Sequence, residues 1–140
     1  DNPYWVSMDG VLYKKSTGHH DELALVTYPR QKKDTSFTIG ENISYIRSDA
    51  MNANDFLENI TFKSGYTEVA YDALSYSVKN IYLDFEEDET DSIILYISKN
   101  CFGNAGSDGT EKFSLSNIYI HNSVSLEHFS EGLREKVQYY

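Results

Sequence analysis

Leu57-Glu58-Asn59-Ile60-Thr61-Phe62, Val78-Lys79-Asn80-Ile81-Tyr82-Leu83 and Leu115-Ser116-Asn117-Ile118-Tyr119-Ile120 follow one template. Each is apolar at positions 1, 4 and 6, and each carries Asn at position 3. Positions 4 and 6 alternate as side chains do along a strand, so the template reads as a short strand that turns its apolar residues inward. Ile60 and Ile81 lie 21 residues apart, a spacing that suits one coil of a stacked repeat array. Function in such arrays usually lies in binding on the continuous surface that the stacked coils create.

The template is the L-x-x-L-x-L core of a leucine-rich repeat. A second ladder runs in the same order. Ile46 to Ala50, Val69 to Ala73 and Ile97 to Cys101 each place an apolar residue four before a small one, with Met51, Leu74 or Phe102 next. That pattern suits a tight turn packing into the stack. The step from Ile81 to Ile118 is 37 residues, so about 16 are extra. The excess falls in the insertion 84–111, which holds an acidic run at 84–91 and a Gly-, Asn- and Asp-rich stretch at 103–110. Between them Ile93-Ile94-Leu95-Tyr96-Ile97 is rich in strand-forming residues.

The ends of the chain read as caps. Val11-Leu12-Tyr13 and 23–28 predict a β-hairpin over one open end, because terminal repeats must cover a core face and unpaired strand edges. At the other end Leu126, Phe129, Leu133 and Val137 recur at spacings of three and four, which predicts an amphipathic helix over 125–137. The expected fold is an α/β repeat: a short leucine-rich-repeat solenoid with a parallel strand face, an N-terminal β-hairpin cap and a C-terminal helical cap. The 140 residues form one domain in this reading, with the hairpin cap at 1–33, repeats at 34–123 and the C-terminal cap at 124–140. Ile39, Ile60, Phe62, Ile81, Leu83, Ile118 and Ile120 are its expected inward residues.

Composition narrows the function. Twelve basic against 22 acidic residues give a net charge of −10. Nucleic-acid binding needs clustered Lys and Arg, so it is excluded as an expectation, and docking on an anionic membrane is disfavoured. No apolar run approaches the ~20 residues of a membrane span, so no membrane insertion is expected. The chain begins at Asp1, the start expected of a processed or trimmed product. Cys101 is the sole cysteine and holds the small position of the turn ladder, where burial makes a thiol inert.

Three stretches carry a family resemblance. They are Met8-Asp9-Gly10-Val11-Leu12-Tyr13 followed by Tyr28-Pro29, then Phe37-Thr38-Ile39 through Ile43 and Ile46 to Ala50, then Ile118-Tyr119-Ile120-His121. Together they resemble the BspA-like leucine-rich repeat family, found largely on bacterial cell surfaces. The chain departs from the family pattern at Gly40 and His121, where Pro is usual, and at Met51 and Leu74, where Phe is usual. The resemblance implies an extracellular or cell-surface location and ligand binding or adhesion. It carries no catalytic motif.

If positions 1, 4 and 6 point inward, the exposed strand face is built from Glu58, Lys79 and Ser116, from Asn59, Asn80 and Asn117, and from Thr61, Tyr82 and Tyr119. Tyr and Asn combine a large amphipathic ring with adaptable amide hydrogen bonds, which is contact chemistry. The plainer reading of the tyrosines is that Tyr favours strands. The acidic run lacks the Asp-x-Asp-x-Asp-Gly spacing of a calcium loop and reads as solvated. His19 and His20 are adjacent, so their side chains diverge, and neither zinc spacing nor further ligands accompany them. No nucleophile elbow, phosphate loop or dinucleotide fingerprint is present. The expectation is therefore a non-enzymatic module with no cofactor and no metal. It recognises a protein ligand on a host or neighbouring cell; a glycan ligand and a structural spacer are the alternatives.

Overall fold

The computed structural model describes residues 4–15, 22–88, 90, 92–102 and 114–140. Its strands are β1 (Trp5–Met8), β2 (Val11–Lys15), β3 (Leu23–Thr27), β4 (Ser36–Ile39), β5 (Ile43–Ile46), β6 (Asn59–Phe62), β7 (Glu68–Val69), β8 (Asn80–Leu83), β9 (Asn117–Ile120) and β10 (Val137–Tyr139). They make two five-stranded sheets, ordered β10-β9-β8-β6-β4 and β1-β2-β3-β5-β7. The first is parallel throughout. The second starts as an antiparallel meander of β1, β2 and β3 and continues parallel through β5 and β7. The molecule is a short β-solenoid of about five coils.

The template register holds. Ile60, Ile81 and Ile118 are paired across β6, β8 and β9, and so are Phe62, Leu83 and Ile120. All six are fully buried, as are Leu57 and Val78, and Leu115 is nearly so. Repeating the same apolar residues at the same register builds one continuous core across the coils.

The turn ladder also forms. Ala50, Ala73 and Cys101 are buried side by side. The Met51 N–H donates to the Ala73 carbonyl at 2.9 Å, and the Leu74 N–H to the Cys101 carbonyl at 2.8 Å. Asp49 and Asp72 precede the two alanines with φ of 65° and 56°. Asp tolerates this left-handed conformation better than most residues, so the small residue follows the corner and does not make it. Burial pushes the Cys101 thiol pKa upward, which suits an inert core position.

Two expectations need correction. The limb opposite the parallel sheet is made of strands and turns, so the fold is β-solenoid and not α/β repeat. In the first two coils only about seven residues separate the parallel strand from its turn, and Ile43, Ile46 and Val69 are β-branched, so a helix has neither length nor propensity there; the longer third coil has a single 3₁₀ turn at Lys99–Cys101. The C-terminal helical cap is absent. In its place stand a 3₁₀ turn at Leu126–His128, a single helical turn at Glu131–Arg134, and then β10. Ser125 caps the first turn by accepting from the Glu127 N–H. Phe129 is extended and bridges Ile97, which interrupts any continuous helix. Phe129 and Leu133 are buried, yet Leu126 is exposed, so the three-four spacing marks inward residues of a broken path.

The N-terminal meander has a strand, β1, that was not foreseen. Its signal was present: Asp9 and Gly10 both take positive φ, 51° and 81°, in a two-residue hairpin loop. Asp-Gly is the favoured pair for such a loop because its twist matches that of the strands. Ile93 to Ile97 forms no regular strand, and within it only Ile97 makes a bridge. His19, His20 and the stretch 103–113 lie outside the described residues.

Candidate functional site on the outer face of the parallel sheet

Because the strands are in register, residues of equal position form rows across the outer face. The position-3 row is an amide ladder. Asn59 Nδ2 donates to Ser36 Oγ at 3.1 Å, Asn80 Nδ2 to Asn59 Oδ1 at 2.9 Å, and Asn117 Nδ2 to Asn80 Oδ1 at 3.1 Å. Gln138 Nε2 from β10 completes it on Asn117 Oδ1 at 3.1 Å. The asparagines thus bond chiefly to one another and hold the strands in register, which leaves less of their polar capacity for a ligand. At position 2, Lys79 Nζ pairs with Glu58 at 2.6 Å, while Ser116 is exposed.

The position-5 row runs Thr38, Thr61, Tyr82, Tyr119 and Gln138. The insertion does not part the two tyrosines. Their rings stack at 4.9 Å between centroids and 13° between planes, close to the inter-strand spacing. Stacking at that spacing stands the rings upright on the sheet. Each covers one face of the other, while Thr61 and Gln138 sit in register on the outer sides. The row therefore offers ring edges and hydroxyls outward, and few free ring faces.

One row further along the same face lie Lys63, Asp84, His121 and Tyr140, which sequence reading did not assign to the site. Their backbone N–H groups continue the ladder, with Lys63 donating to Ile39, Asp84 to Phe62 and Tyr140 to Ile120. Asp84 lies 2.5 Å from Lys63 Nζ and 3.5 Å from His121 Nε2. His121 stacks on Tyr140 at 4.3 Å. Desolvation, then the Asp84 charge, then Tyr82 push the Tyr140 hydroxyl pKa upward. Tyr140 and Gln138 were missed because 125–137 was read as a helix, which hid the fifth strand and its contribution to this face.

The Lys63 hydrogen bond, more than His121, holds the Asp84 carboxyl below its ordinary range. A carboxyl depressed in the folded state contributes stability that is present above the unfolded value of 3.8 and lost as pH falls through the lower folded value. Lys63→Met is accordingly expected to raise the Asp84 pKa and to flatten this part of the acid limb of the stability curve. Carboxyl titration by NMR reads it, and an unmoved Asp84 would show that Lys63 is not the cause.

The acidic run is not uniformly solvated. Glu87 is almost covered, and its carboxylate meets Nε2 of His128, which is 1% exposed. His128 Nδ1 donates to the Leu95 carbonyl at 2.7 Å. Phe85 packs edge-on against the ring. The pair ties the insertion to the fourth coil. Sequence distance concealed it, since 41 residues separate the partners. Among the described residues no three His, Cys, Asp or Glu side chains gather as metal ligands. No helix there is long and apolar enough to cross a membrane.

Fold and face together define a short parallel β-solenoid with a built polar and aromatic outer sheet. No protein-family model matches the chain, and no curated protein matches it by sequence. Two solved structures are similar in fold. A leucine-rich cell surface protein of Faecalibacterium prausnitzii A2-165 is 19% identical with a TM-score of 0.47, over 97% of this chain and 39% of that one. The pneumococcal vaccine antigen PcpA is 14% identical with a TM-score of 0.41, over 99% of this chain and 46% of that one. The chain therefore spans less than half the length of either.

Proposed function

We propose that this chain is a non-catalytic recognition module of an extracellular, cell-surface protein of the BspA-like leucine-rich repeat kind, binding a protein ligand in adhesion or host interaction. The observation that carries the reading is the Tyr82–Tyr119 stack, fixed between an amide ladder and the Lys63–Asp84–His121 row. Rigid aromatic edges and hydroxyls beside anchored charges suit a protein surface, where a few preorganised groups supply most of the binding energy. The sequence resemblance supports the location.

The test captures ligands from extracellular-matrix and host-cell proteins and measures them against Tyr82→Ala/Tyr119→Ala. Binding should fall by at least about tenfold per 1.4 kcal/mol lost. The melting temperature should stay within a few degrees, because partly exposed substitutions usually cost little. Asn80 is left intact in this test, since it bonds to both neighbouring strands. Ligand binding that survives the double change would place recognition elsewhere. Failure to capture any ligand, with this domain embedded in a longer chain, would favour a spacer.

A further inference from the structure

Three tyrosines gather on the side of the solenoid opposite the amide ladder. β7 is the last strand of its sheet, because the third coil, which carries the insertion, does not pair along it. The Leu95 N–H closes onto the Gly65 carbonyl at 2.8 Å, and the Asp72 N–H closes onto the Asn100 carbonyl at 3.0 Å. Between these closures the third coil leans away. The Ile97 N–H donates to His128 at 2.7 Å, and its carbonyl accepts from Ser130 at 3.0 Å, both in the fourth coil. A cleft of about 990 Å³ opens between β7 and this segment. That lies at the upper end of the roughly 300–1,000 Å³ typical of small-ligand sites.

Tyr45, Tyr71 and Tyr96 line the cleft, and Glu68, Asn100 and Ser130 supply polar groups. Tyr71 is 70% exposed and Tyr96 is 49% exposed. Unlike Tyr82 and Tyr119, none of the three is stacked on another ring among the described residues. Tyr71 and Tyr96 thus present exposed rings, not stacked on another ring, beside hydrogen-bonding groups.

We propose that this cleft binds a short neutral oligosaccharide. A pyranose presents a C–H face that packs on a tyrosine ring, while its hydroxyls take a carboxylate, an amide and a serine hydroxyl at the rim. The lining holds one acid, Glu68, and one base, Lys99, so its charges balance and a neutral ligand fits. An added peptide strand fits less well, because β7 is two residues long and offers few backbone groups to pair. The site is separate from the outer sheet, so this proposal stands or falls independently of the protein-binding reading.

The experiment titrates the chain calorimetrically with neutral tri- and tetrasaccharides of glucose, galactose, mannose and N-acetylglucosamine. At least one should bind. Its affinity should fall tenfold or more in Tyr71→Ala and in Tyr96→Ala, with melting temperatures unchanged. Tyr71→Phe should retain most of the affinity, since it keeps the ring. Absence of binding by every sugar at millimolar concentration overturns the proposal. So does a bound sugar whose affinity both alanine variants leave untouched, or a cleft that takes a peptide and no sugar.

Discussion

Replacing Ile81 by alanine is expected to destabilise the fold by about 2–5 kcal/mol, toward the upper part of the range for a buried large-to-small change. β8 is the middle strand of the parallel sheet. Ile81 stands in register with Ile60 on one side and Ile118 on the other, and all three are 0% exposed. A cavity there cannot collapse easily, because parallel ladders on both sides fix the neighbouring backbones. Ile81→Val removes one methyl group and should cost only about 0.5–1.5 kcal/mol. Chemical denaturation of the two variants beside the parent measures both. A near-neutral alanine variant would sink the register on which the whole solenoid rests.

A comparably large loss is expected for Asn54→Ala, although the removed side chain is polar. Asn54 is fully buried. Its Nδ2 donates to the Pro29 carbonyl at 2.9 Å and the Lys32 carbonyl at 2.8 Å, and its Oδ1 accepts from the N–H groups of Phe56 at 2.8 Å and Leu57 at 2.9 Å. One amide thus satisfies four backbone groups and ties the segment after β3 to the approach of β6. Leaving a buried backbone group without a partner costs about 1–3 kcal/mol; the Leu57 N–H is buried, the other three groups are part-covered and the Pro29 carbonyl keeps the Lys32 N–H, so the alanine variant should lose roughly 2–4 kcal/mol. Asn54→Asp is expected not to rescue. A carboxylate can still accept from Phe56 and Leu57, but it has no N–H for the two carbonyls and sets negative oxygens against them. Stability within about 0.5 kcal/mol of the parent in Asn54→Ala would show that the geometry overstates these bonds.

Asn54 also marks a limit of sequence reading. Nothing in Asn52-Ala53-Asn54-Asp55 distinguishes the buried Asn54 from its exposed or half-buried neighbours. Its importance comes from carbonyls that lie 22 and 25 residues earlier in the chain. The next coil meets the same need differently. Ser75 Oγ donates to the Asn54 carbonyl at 2.5 Å, and Ser77 Oγ donates to the Leu57 carbonyl at 2.6 Å. A turn requirement solved by Asn in one coil and by two serines in the next leaves no repeating letter to find.

The candidate site divides along the same line. Asn59, Thr61, Asn80, Tyr82, Asn117 and Tyr119 occupy the rows that strand alternation assigned to them, because alternation needs only neighbouring residues in one chain segment, while Glu58, Lys79 and Ser116 stand just before the strands, outside that alternation. What each row does depends on the adjacent strands. The asparagines bond to one another, and the two tyrosines cover each other's faces. The row of Lys63, Asp84, His121 and Tyr140 could be assembled only once β10 was known to continue the sheet.

The sequence alone determined the inward residues, the register of β6, β8 and β9, and the turn ladder. Each follows from a short periodic pattern whose apolar residues have one way to be buried together. Only the tertiary structure decided the rest. The open edge of β9 draws residues 137–139 into a fifth strand where local spacing favoured a helix, because unpaired backbone groups at a sheet edge gain hydrogen bonds from any strand that can reach them. The third coil leans on the fourth and leaves β7 uncovered, since Ile97 finds its partners beside Phe129 and not beside Val69. Both choices are competitions between partners far apart in the chain, which no local pattern encodes.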